Sequence, residues 1–394
     1  MSRRKYMTHQ YKKTKLAAAI LAASVAAPAS AVSWSAGDWE VSYSGFINSF
    51  ANYANDGAVG GDDNFHLSEG LLPAFHTMKA TSPATNGLTG TAQITFAPHT
   101  TTSKTVVQQS SNNGTIDVRE VFFNVEGSFG TVSVGRTLAL FQRQSILNDM
   151  TLFGVGAFSS QEGGGTTLGR IGYGYVYGDF RNRFAWKSPD ISGFSIEVGM
   201  FDPDEINSGG GNFTPETDTP QFQTELTYNT TFDGGSLNLW ASGLYQEMTV
   251  DAGGDVTAQG ISVGGKVAAG GLSVVATMYT GEAIGVFRTM QSIAAGAFNN
   301  AFQCAAANCT EAENDGYYLQ GMYALGGGAT SIGLSYGEST QDADAAGNIA
   351  AAHQLTTIGV YHDVNSWLKV VGEYNAQNGH LKQDTISLGG FIFW

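Results

Sequence analysis

Apolar and polar residues alternate with a period of two along this chain, as far as its last residue. Leu88, Gly90, Ala92, Ile94 and Phe96 fall on one face of an extended segment, and Thr89, Thr91, Gln93 and Thr95 on the other. Phe194, Ile196, Val198 and Met200 alternate with Ser195, Glu197 and Gly199, and Ile332, Leu334 and Tyr336 with Ser331, Gly333 and Ser335. The chain closes on Ile386, Leu388, Gly390, Ile392 and Trp394 in the same rhythm. Such a pattern specifies strands with one apolar and one wet face. Charged residues make up 13%, about half the share usual in soluble domains, yet mean hydropathy is near zero. Beyond residue 31 no apolar run approaches the ~20 residues of a spanning helix. The fold class that satisfies all of this is all-β: a transmembrane antiparallel β-barrel whose strands average a lipid face with a wet one.

The N-terminus is of another kind. Arg3, Arg4, Lys5, Lys12, Lys13 and Lys15 precede an apolar stretch over residues 16–27, and Ala29-Ser30-Ala31 supplies a small-x-small cleavage site. Residues 1–31 are expected to be a cleavable signal peptide, and residues 32–394 the barrel. The leader holds those six cations and no acid, so its removal takes the net charge from −15 to −21. A chain so acidic is a poor nucleic-acid partner, and its field favours cations nearby. Export also leads to an oxidising compartment. Cys304 and Cys309, the two cysteines of the chain, are expected to form a small loop disulfide. Two free thiols or a metal pair are the alternatives, and the pair lacks a nearby His or third Cys.

The connections fall into two alternating kinds. Tight Gly-, Asn-, Asp- and Pro-bearing turns are predicted at 81–87, 127–129, 188–192, 233–235, 269–271, 326–328 and 363–366. Longer polar segments lie at 51–70, 98–115, 137–168, 203–220, 249–256, 282–315, 340–351 and 378–382. Seven turns and eight loops make about 16 strands, with both chain ends on the short-turn side. Trp39, Tyr43, Tyr279, Tyr317, Tyr318, Trp367 and Tyr374 sit near strand ends and are candidates for aromatic girdles.

Residues 117–136 read DVREVFFNVEGSFGTVSVGR. This hairpin resembles the fourth and fifth strands of the general Gram-negative porins. Arg119, Phe122, Gly127, Phe129, Gly130, Val132, Gly135 and Arg136 stand at the matching places, with Asn124 where the family has Gly. A second block at 169–194 is similar to the family's strand after the third loop, through Gly169, Arg170, Tyr175, Arg181, Asn182, Ser188, Pro189, Gly193 and Phe194. The closing strand resembles the assembly signal of outer-membrane barrels, with Trp394 in place of the usual Phe. The resemblance implies a passive diffusion channel for ions and small hydrophilic solutes across the bacterial outer membrane. It also implies a homotrimer surrounded by lipid and lipopolysaccharide, with the closing strand read by the barrel-assembly machinery.

It further implies that the third loop, residues 137–168, folds into the lumen and narrows it. Residues 138–150 carry no Gly or Pro and permit a short helix, and 154–165 are rich in Gly and Ser. Family members set loop acids against a ladder of wall cations, which makes a transverse field and a weak charge selectivity. By that resemblance the basic side is Arg119, Arg170, Arg136 and Arg181, and the acidic side Asp149 and Glu162. Arg143 lies in the same loop and departs from a purely acidic one. On the second strand only His76 and Lys79 are available to extend the ladder, so cation preference is expected. Around Arg119 the residues Val121, Phe123 and Val125 share its parity, as two apolar faces at a subunit interface would. The sequence holds no P-loop and no metal-spaced His or Cys cluster, so neither enzyme chemistry nor a cofactor is expected. A substrate-specific channel and a non-conducting structural or adhesive barrel are the competing readings.

Overall fold

Sixteen antiparallel strands close into one barrel in the computed structural model. The structure describes residues 31–56, 63–99, 116–158, 166–203, 215–216, 218–250, 254–285, 301–305, 308–342, 351–379 and 382–394. The leader peptide expected at 1–31 lies almost wholly outside the described residues.

In chain order the strands are β1 (Trp39–Asp56), β2 (Asn64–Ser68 and Phe75–Thr81), β3 (Thr89–Pro98), β4 (Ile116–Gly127), β5 (Gly130–Leu138), β6 (Phe180–Lys187), β7 (Phe194–Phe201) and β8 (Gln221–Phe232). They continue as β9 (Gly235–Val250), β10 (Gly254–Ala269), β11 (Leu272–Glu282), β12 (Glu313–Ala324), β13 (Thr330–Gln341), β14 (Ala351–Asp363), β15 (Leu368–Gly379) and β16 (Gln383–Phe393). Each pairs with its chain neighbour, and β1 pairs with β16 from Phe46↔Phe393 to Asp56↔Gln383. Closure leaves no unpaired edge in lipid, where an unsatisfied backbone group would be costly. The seven expected turns all join consecutive strands at one end of the barrel.

Two features depart from the expected pattern. Val32–Ala36 is a short additional strand on Trp39–Tyr43; it continues the edge of β1 past the end of β16. The expected loop at 51–70 is largely strand, since β1 runs to Asp56 and β2 begins at Asn64. The real interruption comes between Ser68 and Phe75, inside β2.

Outward residues such as Ile47, Phe123, Phe184, Leu226, Leu319, Ile358 and Leu388 are exposed to the bilayer side. Inward positions are polar, including Asn52, Gln221, Gln320, Thr357 and Asn375, yet all five are buried. They are covered because the connection between β5 and β6 lies inside the barrel. It contributes helix α1 (Arg143–Leu147) and a 3-10 turn (Met150–Phe153). Ile146, Leu152, Ile171 and Tyr175 of this connection pack with Trp240, Val275, Tyr318 and Leu355 of the wall. A second cluster joins Phe141 and Val176 to Leu244, Met248, Tyr279 and Phe302. Tyr279 and Tyr318 are therefore lumen residues under the loop, not girdle residues. Trp39, Tyr317, Trp367 and Tyr374 do face outward. Phe302 opens an outer hairpin in which Cys304 and Cys309 are Cα partners, and Cys309 is disulfide-bonded.

Candidate functional site

Burying a large apolar side chain contributes about 1.5–3 kcal/mol, while ordering each backbone residue costs about 1–2 kcal/mol. Apolar packing alone would not order a connection as long as 139–179, so its polar ties decide whether it stays in place. At its neck, the Ala139 amide donates to the Asp179 carbonyl at 2.9 Å. Beyond the neck, inward side chains of the wall stand in for a missing backbone partner. Gln223 Oε1 accepts from the amides of Leu140 and Phe141, both at 2.8 Å. Ser242 accepts from the Gln142 amide at 3.0 Å, and Gln320 from the Met150 amide at 2.6 Å. Glu373 accepts from Val155 and Gly156, Gln377 from Phe158, and Ser339 from Gly174. Two wall glycines permit direct backbone contact. A Cβ on Gly337 would lie 2.1 Å from the Tyr173 carbonyl oxygen, and one on Gly70 2.0 Å from that of Gly154. Gly70 lies in the interruption of β2, where the Leu71 amide donates to the Gly154 carbonyl at 3.0 Å. The wall breaks there to bond the loop.

The charges are arranged differently from the expected ladder. Asp149 is buried and caps the 3-10 turn. Its Oδ1 accepts from the Thr151 amide at 2.9 Å, and its Oδ2 from the Thr151 hydroxyl at 2.7 Å and the Tyr175 hydroxyl at 2.9 Å. Arg170 Nε stands 3.9 Å from Asp149 Oδ1. Arg170 is fully buried; its guanidinium donates to the Leu355 carbonyl at 3.0 Å, the Thr357 hydroxyl at 3.2 Å and the Ser335 hydroxyl. Asp149 and Arg170 thus pair with each other inside the loop, instead of facing across open lumen. Burial pushes the Tyr173 hydroxyl up to about 12. Burial and the Asp149 carboxylate hold that of Tyr175 well above the usual phenol range, so it remains a donor.

The loop's outstanding cation is Arg143, at the start of α1. Its Nη2 lies 2.6 Å from Glu225 Oε1 and 2.7 Å from Glu197 Oε2, and its Nε donates to Glu225 Oε2 at 3.1 Å. Arg183 Nη2 meets the other Glu197 oxygen at 3.1 Å. Here the loop supplies a cation and the wall the acids, the reverse of the expected polarity. Glu197 and Glu225 escaped the sequence reading, although their inward parity, next to Ser195 and Gly199 for Glu197, was legible.

The remaining expected site residues separate. Arg119 lies on β4 at a register shift, where Thr95 pairs with Glu120 and Phe96 with Val118. This bulge lets Arg119 and Glu120 both point inward while Val118 and Val121 point out. Parity alone could not show it. Arg119 is buried, paired through Nε with Asp117, and donates from Nη1 to the Tyr177 hydroxyl at 3.3 Å. Arg181 faces inward and donates to the Asp202 carbonyl. Arg136 is exposed on the outer face, beside Val121 and Asn182, so it does not line the lumen. Glu162 lies outside the described residues. His76 points outward, 2.7 Å from the Tyr43 hydroxyl and with its ring centroid 5.1 Å from that of Trp394. It belongs to the aromatic surface and not to the pore.

A closed 16-stranded barrel with one long connection folded into its lumen defines an outer-membrane channel protein. The sequence profile of the Gram-negative porins matches residues 17–380, and the chain belongs to that family. Its place is therefore the outer membrane. Among solved structures it is similar to the outer membrane channel DcaP of Acinetobacter baumannii, with a TM-score of 0.70, 14% identity, and coverage of 91% of this chain and 99% of that one. The anion-selective porin of Comamonas acidovorans has a TM-score of 0.62 at 15% identity, covering 90% and 100%. The trimer form of OmpT from Vibrio cholerae has 0.56 at 16% identity, covering 91% and 100%. These likenesses establish the fold. Comparison with curated proteins yields no match.

Proposed function

We propose that this protein passes ions and small hydrophilic solutes by passive diffusion, through a lumen narrowed by the connection at 139–179. That connection, tied to the inside of a closed barrel, is the observation that carries the reading. Its charges support weak selectivity. Arg143 and Arg183 balance Glu197 and Glu225, and Arg170 balances Asp149. The barrel after loss of the leader has an excess of acid, so cations are favoured near its mouths. The Comamonas porin is described as anion-selective, but at such low identity its selectivity does not transfer.

The working unit in this reading is a homotrimer. Outward positions on β1–β3 include Gly45, Ser49, Ala51, Ala80 and Ala92, small residues that let a sister barrel approach closely. The remaining outer face meets lipid and lipopolysaccharide, and the barrel-assembly machinery reads β16. In planar bilayers the purified protein should show single-channel conductance, with a reversal potential of cationic sign in a salt gradient. Native gels before and after heating should show a trimer and then a monomer. Absence of conductance would favour a structural barrel and sink this reading.

A further inference from the structure

A cavity of about 450 Å³ lies on the flank of α1 that faces β1–β4. Most of its lining is apolar, including Leu71, Phe75, Leu147, Leu152, Ile171 and Phe180. Leu147 and Leu152 also line a smaller, polar cavity of about 180 Å³ with Lys266 and Lys369, so they stand where the two spaces meet. A lumen meant for hydrated ions alone has no need of such a wall.

One polar group in the larger cavity is incompletely used. Arg119 lines it, and its residue is only 3% exposed. Its Nε is engaged by Asp117, its Nη1 by Tyr177, and its guanidinium carbon lies 5.4 Å from the centre of the Phe180 ring. Its Nη2 has no hydrogen-bond partner among the described residues. A guanidinium has five donors in a fixed fork, and a buried donor left unpaired is unfavourable. An acceptor brought into the cavity would satisfy it.

The surrounding charges limit what that acceptor is. Asp117 already neutralises Arg119. The neighbouring Glu120 carboxylate is held by Gln93 and Thr95 at 2.8 and 2.7 Å and by Thr137 at 2.8 Å. An incoming carboxylate would meet two fixed carboxylates, Asp117 and Glu120, beside a guanidinium that the first of them already neutralises. A neutral carbonyl oxygen meets the donor without that repulsion. Resting on the diffusion-channel reading above, we propose that this cavity binds uncharged amphipathic solutes, with an aromatic or branched apolar body against α1 and a carbonyl oxygen on Arg119 Nη2.

The test is ion-current block in planar bilayers, which is unaffected by solute crossing the lipid. N-acetylphenylalaninamide should block the wild-type current reversibly and saturably. N-acetylglycinamide, with the same amides and no apolar body, should not. Arg119→Lys keeps the charge opposite Asp117 and removes the fork, so the half-blocking concentration should rise about tenfold. Leu147→Asn, at a half-buried position, should raise it through the apolar side. Equal block by both amides, no block at all, or an unchanged half-blocking concentration in either variant overturns the proposal. A channel that conducts without being blocked refutes this inference alone, whereas a protein that never conducts refutes the diffusion reading beneath it.

Discussion

Arg143→Met should widen the channel and shift its reversal potential further toward cations. Arg143 is the one loop cation that touches both Glu197 and Glu225, and both acids are nearly buried. Removing it leaves Glu225 without its ion-pair partner and Glu197 with Arg183 alone. Breaking a buried pair from one side costs about 3–5 kcal/mol, more than the few hydrogen bonds at the neck of the loop can offset. The strain is relieved if the Leu138–Leu147 arm lifts off the wall, so that water and permeating cations reach the two carboxylates. Single-channel conductance should then rise, and the cation-to-anion permeability ratio should increase severalfold. Glu197→Gln with Glu225→Gln is the opposite perturbation. It strands Arg143 and Arg183 as the local charges and should move the reversal potential toward anions. All three substitutions combined leave Arg183 as the only charge of the cluster, and should place the reversal potential between that of the double Gln variant and the wild-type value. If neither conductance nor reversal potential moves in Arg143→Met, the cluster is remote from the ion path.

That charge arrangement also marks where the sequence stopped being informative. Alternation and turn chemistry act locally, through the parity of side chains and the φ values a turn requires. Hence the seven turns and the count of 16 strands were legible. The break after Ser68 and the bulge at Arg119 were not, because each is a local exception tied to a distant partner. Gly70 meets Gly154 of the connection inside the barrel, and Arg119 is bonded to Tyr177. Likewise, family resemblance drew attention to Asp149 and Arg170, yet it set them on opposite sides of a gap. They are both on the connection, and only its folded path brings them together. Glu225 reaches Arg143 from 82 residues away, a pairing no spacing rule contains. The inward Gln223, Gln320 and Gln377, which bond the loop backbone, were visible as wet-face residues, but nothing in the sequence distinguishes a wall amide that meets water from one that meets a loop.

Arg170→Leu should release the same loop from its other side while leaving the barrel closed. Arg170 joins the loop to β13 and β14 through Ser335, Thr357 and the Leu355 carbonyl, and it is the cation beside Asp149. Both side chains of that pair are wholly buried, so an unmatched Asp149 again costs about 3–5 kcal/mol. No strand pairing involves residue 170, and therefore heat-modifiable mobility on gels should stay that of wild type. The expected signs are larger, noisier single-channel steps and new protease cleavage within 139–179. Asp149→Asn alone should do less, because Asn retains an acceptor for Thr151 and Tyr175. In the double variant, Asp149→Asn with Arg170→Leu, the buried charge is gone from both sides. Its damage should fall short of the sum of the single effects, by a coupling of roughly 0.5–3 kcal/mol if the two groups act as a pair. Strict additivity would mean that Arg170 holds the loop through its wall hydrogen bonds alone, with Asp149 serving only to cap the 3-10 turn.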